Sequence, residues 1–203
     1  MLCRESEYFR ELLEDSKAQQ ITVDFLGAPV FRLYLQWLLA GSYHEYTEFS
    51  QAPSYRTACS THTLGEVSTE DVTKSGEDFV VWCVKAGVLA WKLGHRLQAP
   101  RFQNYAMRRL FAAYTRAWPT FQVQDDFFRW TRDSGTQLRD FFEDLVIRNW
   151  ADGDLIDHRH SDWSRLLKEN DRFRDCFIEA MAQPEQERCE AQMEIEKYLL
   201  EEK

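Results

Sequence analysis

The residues of this chain whose types could hold a metal ion lie between positions 152 and 160. Three aspartates precede a His-Arg-His triplet, and carboxylates together with imidazoles are common ligands of divalent metals. The members are Asp152, Asp154, Asp157, His158 and His160. Two histidines two positions apart on a polar loop are more often solvated side chains than a ligand set, so we expect no metal site here.

Nothing else in the sequence indicates catalysis. The short motifs of nucleotide-binding loops, serine nucleophiles and zinc proteases do not occur. Glu143 and Asp144 are adjacent carboxylates, but neighbouring helical positions point in different directions and do not share one site. The five cysteines form no closely spaced pair, which indicates free thiols, and Cys3, Cys83 and Cys176 are predicted to be small core residues. We predict a protein that is not an enzyme and has no cofactor.

Charge and hydropathy argue against two classes of partner. The net charge of -9 comes from 34 acidic and 25 basic residues, and a surface of this sign repels phosphate backbones. No apolar run approaches the roughly 20 residues that span a bilayer, and residues 1–12 lack the basic start and apolar middle of a signal peptide. We predict no direct nucleic-acid contact, no membrane association and a location in the nucleus or cytoplasm.

Helical patterns dominate, and the most apolar helix is predicted over residues 29–43. Its apolar positions cover most of the circumference, so other elements should surround it. Pro29 suits its first turn, and Gly41 suits a left-handed stop. Upstream, Ser6 predicts the cap of a short helix, and residues 21–25 alternate between apolar and polar as a half-buried strand does.

Further helices are predicted over residues 79–93, 100–117, 125–132, 137–150 and 161–203. The first two should form an antiparallel hairpin, with Gly94 ending the first and with Lys85 and Lys92, seven positions apart, on one edge of it. The last is highly charged and is interrupted at Pro184. Its first half has apolar positions that include Trp163 and Phe173, and its second half, from Glu185, is predicted to be a solvated helix or a partner-binding tail. Residues 44–78 are polar and aperiodic, which is typical of a functional loop or, as we favour, a disordered insertion.

Three stretches resemble the BTB/POZ family, and in particular its fungal members. Residues 2–12 are similar to the family's Leu-x-x-x-Ser-x-x-Phe helix pair, residues 21–43 to its strand and central helix, and residues 88–110 to its helical hairpin. The matching positions of the central helix are Phe31, Leu35, Trp37, Leu38, Gly41 and Tyr43. Those of the hairpin are Leu89, Leu93, Leu97, Pro100, Phe102, Asn104 and Met107. Residues 134–150 look like an extension common in fungal relatives.

The resemblance implies an α+β, predominantly helical fold in which helices pack around a small sheet remnant. Family members usually begin with two strands, and Met1 falls where these strands should already have ended, so we expect the sheet to lack them. The implied organisation is a BTB/POZ-like domain over residues 1–117 with an insertion at about 44–78. A helical extension over 118–160 and a charged helical tail over 161–203 follow it.

The resemblance also implies a protein–protein interaction module, often a homodimer. Some relatives are adaptors that bring substrates to a cullin ubiquitin-ligase scaffold, and others are transcription regulators that act through protein partners. The adaptor class often carries a hydrophobic-x-Glu contact after the central helix, and two consecutive triplets fit this pattern here. Their candidate partner-binding residues are Tyr43, Glu45, Tyr46 and Glu48. The alternative is that these residues belong to a solvated loop.

Overall fold

The computed structural model describes residues 1–15, 28–43, 82–116, 136–153, 156, 158–190 and 193–202. Within these ranges the chain is predominantly helical and contains no strand. The predicted strand at residues 21–25, the insertion at 44–78 and the helix at 125–132 lie outside the described residues. The chain divides into two compact units, and unit 1 consists of Met1–Ala117 with Leu199–Lys203, while unit 2 is Trp118–Tyr198.

Unit 1 is built around a pair of helices that pack side by side. Its described helices are α1 (Leu2–Glu5), α2 (Glu7–Asp15), α3 (Ala28–Ala40), α4 (Trp82–Arg96) and α5 (Pro100–Arg116). Gly87 of α4 lies beside Leu110 of α5, and Gly94 lies beside Gln103, so the two helices run antiparallel. The predicted hairpin is therefore confirmed.

The two glycines of α4 lie where α5 approaches closely. A Cβ atom built on Gly94 would be 2.6 Å from Cγ of Gln103 and 3.1 Å from its backbone nitrogen. One built on Gly87 would be 3.0 Å from Cβ of Leu110. The prediction that Gly94 ends the helix was wrong, because α4 continues to Arg96. Close helix packing, rather than a left-handed stop, explains the glycine at this position.

Ser6 joins the start of α2 to the turn between α4 and α5. Its Oγ accepts a hydrogen bond from the backbone N–H of Phe9 at 3.2 Å, which is the cap that the sequence predicts. The same hydroxyl donates to the carbonyl oxygen of Leu97 at 2.5 Å, and the backbone N–H of Glu7 donates to the carbonyl of Gln98 at 3.3 Å. Ser6 is 2% exposed, so this contact belongs to the interior of unit 1.

α3 packs through one face and leaves the opposite face open. Tyr34 is fully buried, with its ring centroid 5.0 Å from that of Phe102 and 6.5 Å from that of Phe9. Leu39 is 79% exposed, so the expectation that other elements surround the helix does not hold at this residue. Lys92 of α4 is 7% exposed, so the charged edge of this helix is buried at this residue.

Unit 2 has a separate aromatic core. Its described elements are α6 (Thr136–Arg148), α7 (Asp162–Glu169), α8 (Asp171–Met181), α9 (Glu185–Glu190) and a 3₁₀ turn (Ile195–Tyr198). The buried residues of the core are Val146, Ile156, Trp163 and Phe173. Trp150 packs edge-on against Trp163 and Phe177, with ring centroids 4.8 and 4.6 Å apart.

The apolar positions that the sequence gives at Trp163 and Phe173 are confirmed as part of the core of unit 2. Trp163 of α7 and Phe173 of α8 are 5% and 0% exposed, because the apolar positions of these two helices form part of the core of unit 2. Asn170 caps α8 by accepting a hydrogen bond from the backbone N–H of Phe173 at 3.2 Å. Cys176 is exposed, so the prediction that it is a core residue was wrong.

Candidate protein-interaction site

The chain leaves α3 through a left-handed glycine and packs onto α5. Gly41 has a φ angle of 72°, and its N–H donates to the carbonyl of Trp37 at 2.7 Å, as expected for a helix C-cap. Tyr43 follows and is 5% exposed, with its ring centroid 5.1 Å from that of Tyr105 and 6.3 Å from that of Phe102. The spacing of Trp37, Gly41 and Tyr43 therefore has a physical basis in how this helix ends.

Of the four candidate partner-binding residues, Tyr43 is described, whereas Glu45, Tyr46 and Glu48 lie outside the described residues. Because the ring of Tyr43 is buried inside unit 1, it contributes to the core in this arrangement. The role of the other three residues stays a prediction.

A second polar site lies in the first turns of α5 and is centred on Asn104, which is 3% exposed. The Nδ2 group of Asn104 donates to the carbonyl of Leu200 at 2.9 Å, and the N–H of Leu200 donates to Oδ1 of Asn104 at 2.7 Å. Nδ2 also donates to Oε1 of Glu202 at 3.0 Å. The N–H and C=O of one residue point to the same side in an extended backbone, so this pairing indicates an extended conformation at Leu200.

Arg101 places a positive charge beside Asn104. Its Nη1 donates to both carboxylate oxygens of Glu5, at 3.0 and 3.1 Å, and its Nε lies 3.9 Å from Oε2 of Glu202. The side chain of Glu5 is 8% exposed, whereas those of Arg101 and Glu202 are 50% and 47% exposed. The buried carboxylate of Glu5 therefore orients the guanidinium group. We name Glu5, Arg101 and Asn104 together the Asn104 clamp.

Sequence reasoning missed this clamp. Asn104 is one of the positions that match the family's hairpin, and residues 199–202 belong to the predicted charged tail. The contact between Asn104 and Leu200 joins positions 96 residues apart in the sequence. A periodicity that reports only on neighbouring turns of one helix could not have revealed it.

In unit 2, Asp144 accepts two hydrogen bonds from the 3₁₀ turn. Lys197 Nζ donates at 2.5 Å, and the hydroxyl of Tyr198 donates at 2.6 Å. Tyr198 is 1% exposed, and burial, followed by the hydrogen bond to Asp144, raises the pKa of its hydroxyl well above the ordinary range. A cavity of about 300 Å³ lies beside this pair, and its charged lining residues are Arg148, Arg188, Lys197, Asp144 and Glu194.

Of the residues first considered for metal binding, His158 has other contacts, and Asp154 and Asp157 lie outside the described residues. The ring of His158 forms a hydrogen bond with the backbone carbonyl of Trp150, and their ring centroids lie 4.9 Å apart. Glu143 pairs with Arg139 at 2.7 Å, so it does not share the partners of Asp144. Where the chain is described, no group of three or more His, Cys, Asp or Glu residues could hold a metal ion. In the same part of the chain, no helix combines the length and apolar character that a bilayer span requires.

Comparison of the chain with protein-family models, with curated proteins and with solved structures found no match. The resemblance to the BTB/POZ family therefore rests on the residues quoted for it above.

Proposed function

We propose that this chain is a non-enzymatic protein–protein interaction module of the BTB/POZ type that acts as an adaptor for a cullin ubiquitin ligase. The main support is the end of α3, where Gly41 turns the chain and Tyr43 is held against α5. The chain that follows therefore starts from a fixed point on unit 1. Glu45 and Glu48 come directly after that point in the sequence and provide the carboxylates of the proposed contact.

The charge of the chain supports a protein partner over a nucleic acid. The net charge of -9 would repel a phosphate backbone unless a local basic patch offset it.

In this proposal the segment at residues 21–25 forms the sheet remnant, and pairing through its open edge would bring together two copies of the chain. Light scattering should then report a dimer at micromolar concentration, and a clean monomer would contradict self-association.

The adaptor function is tested by reversing the two glutamate charges. The double variant E45K/E48K should reduce capture of a purified cullin by about tenfold or more, because charge reversal at the centre of a contact removes an attraction and adds a repulsion. A matched control is E11K/E14K, since Glu11 and Glu14 are exposed residues of α2 and the change in net charge is identical. Equal capture by both variants would remove Glu45 and Glu48 from the site.

The alternative is a transcription-associated regulator that acts through protein partners. Both functions use the same interaction module, so the location of a tagged copy and its captured partners separate them. Exclusion of the tagged chain from the nucleus would contradict the transcriptional role. Capture of a cullin that is lost only in E45K/E48K would support the adaptor role.

A further inference from the structure

The Asn104 clamp binds residues 199–202 through groups that many peptide segments carry, namely a backbone N–H, a backbone C=O and a carboxylate. Asn104 pairs with the backbone N–H and C=O of Leu200 and makes no use of the leucine side chain in these two bonds. The remaining requirement is a carboxylate two residues later, where Glu202 meets Asn104 and Arg101. Backbone pairing supplies affinity in peptide recognition, and side-chain contacts supply specificity.

We propose that the Asn104 clamp is a docking site for an extended acidic segment of a partner protein, and that residues 199–202 occupy it in cis. The partner segment would present its backbone to Asn104 and a glutamate or aspartate two positions later to Arg101. This surface uses none of residues 43–48. The proposed docking site can therefore be tested independently of the cullin contact.

The bound segment lies outside any helix, which makes exchange feasible. Residues 199–202 belong to no helix, and Glu201 and Glu202 are exposed. The ion pair between Arg101 and Glu202 is half-exposed on both sides, and pairs of this kind contribute little to stability. A covalently attached segment nevertheless competes at an effective concentration on the order of millimolar, so it would mask the clamp from a weak external ligand.

The test uses the full chain and a labelled peptide with the sequence YLLEEK of residues 198–203, followed by fluorescence anisotropy. Leu200→Pro removes the N–H that donates to Oδ1 of Asn104 and should release the cis segment. The L200P chain should then bind the peptide about tenfold more tightly than the wild type, because the internal competitor has been displaced. Equal affinities, or no binding to a folded L200P chain, would overturn the proposal.

Two peptides with the same charge change test the chemistry of the site. The peptide carrying Glu202→Lys should bind L200P about tenfold more weakly, whereas Glu201→Lys should bind like the parent, because Glu202 is the residue that meets Asn104 and Arg101. Equal weakening by both substitutions would indicate non-specific charge attraction and overturn the site.

Two further variants distinguish loss of the binding site from unfolding of the chain. Asn104→Asp keeps the size of the side chain but loses both Nδ2 hydrogen bonds, so L200P/N104D should lose the peptide while it keeps its helical circular dichroism. Arg101 is half-exposed, and L200P/R101E should regain affinity for the Glu202→Lys peptide. A wild-type dimer that L200P converts to monomers would assign the bound segment to a second copy and overturn occupancy in cis.

Discussion

Each of the two units buries a tyrosine, and the two hydroxyl groups differ in whether they form a hydrogen bond. Tyr34 of unit 1 is 0% exposed among aromatic rings, and its hydroxyl has no hydrogen-bond partner among the described residues. Tyr198 of unit 2 is 1% exposed and donates to Asp144 at 2.6 Å. Burial raises the pKa of both hydroxyls, and only in Tyr198 does a hydrogen bond add to the effect.

The difference shows that the two units use the same residue type for different purposes. In unit 1, Tyr34 contributes buried surface and ring contacts. The hydrogen bonds between distant segments are formed by other residues, Ser6 and Asn104. In unit 2, Tyr198 connects the 3₁₀ turn to α6 through a carboxylate. A hydroxyl without a partner in the interior lowers stability, whereas one bound to a charged group raises it.

The largest effect expected from this comparison is that of Tyr198→Phe. It removes a charge-assisted hydrogen bond from a buried ring, so the free energy of unfolding should fall by about 2 kcal/mol. Hydrogen exchange should accelerate in peptides from α6 and the 3₁₀ turn, while those from α5 remain protected. Equal acceleration in both units, or no loss of stability, would contradict the role of the bond between Tyr198 and Asp144.

The next effect concerns the apolar packing of unit 1. Gly94→Ala places a methyl group 2.6 Å from Cγ of Gln103, and we expect a net loss of about 1–2 kcal/mol after the gain in helix propensity. Gly87→Ala is the matched control, because its nearest contact of 3.0 Å with Cβ of Leu110 requires a smaller shift. Denaturant unfolding should show a clear loss for G94A and a much smaller one for G87A. The reverse order would contradict close packing at Gly94.

Local features of the fold could be predicted from the sequence, and features that depend on distant contacts could not. The cap at Ser6, the stop at Gly41 and the α4–α5 hairpin follow from residue types at short spacing, and all three are confirmed. Gly94 was misassigned because a helix stop and a close helix contact both favour glycine. The hydrogen bonds of Asn104 to Leu200 were missed because a sequence pattern does not report which distant segments meet.

Alkaline pH should lower the free energy of unfolding through the ionisation of both tyrosines. The folded pKa of Tyr34 and of Tyr198 lies above the ordinary value of 10.0, so each ring stabilises the fold fully below about pH 10. That contribution is lost as the pH rises towards the folded pKa, at up to about 1.4 kcal/mol per pH unit for each ring. The free energy of unfolding should fall more steeply above pH 10 in the wild type than in Y34F/Y198F. Parallel curves would contradict the raised pKa values.

The smallest effect, and the one with the opposite sign, is that of Tyr34→Phe. This change removes a buried hydroxyl that has no partner among the described residues and keeps the ring contacts with Phe9 and Phe102. Because an unsatisfied buried polar group lowers stability, the free energy of unfolding should rise by up to about 1 kcal/mol. Denaturant unfolding of Y34F and Y198F side by side decides the comparison. If both variants lost stability by similar amounts, the hydroxyl of Tyr34 would have a partner in solution, and the contrast between the two units would fail.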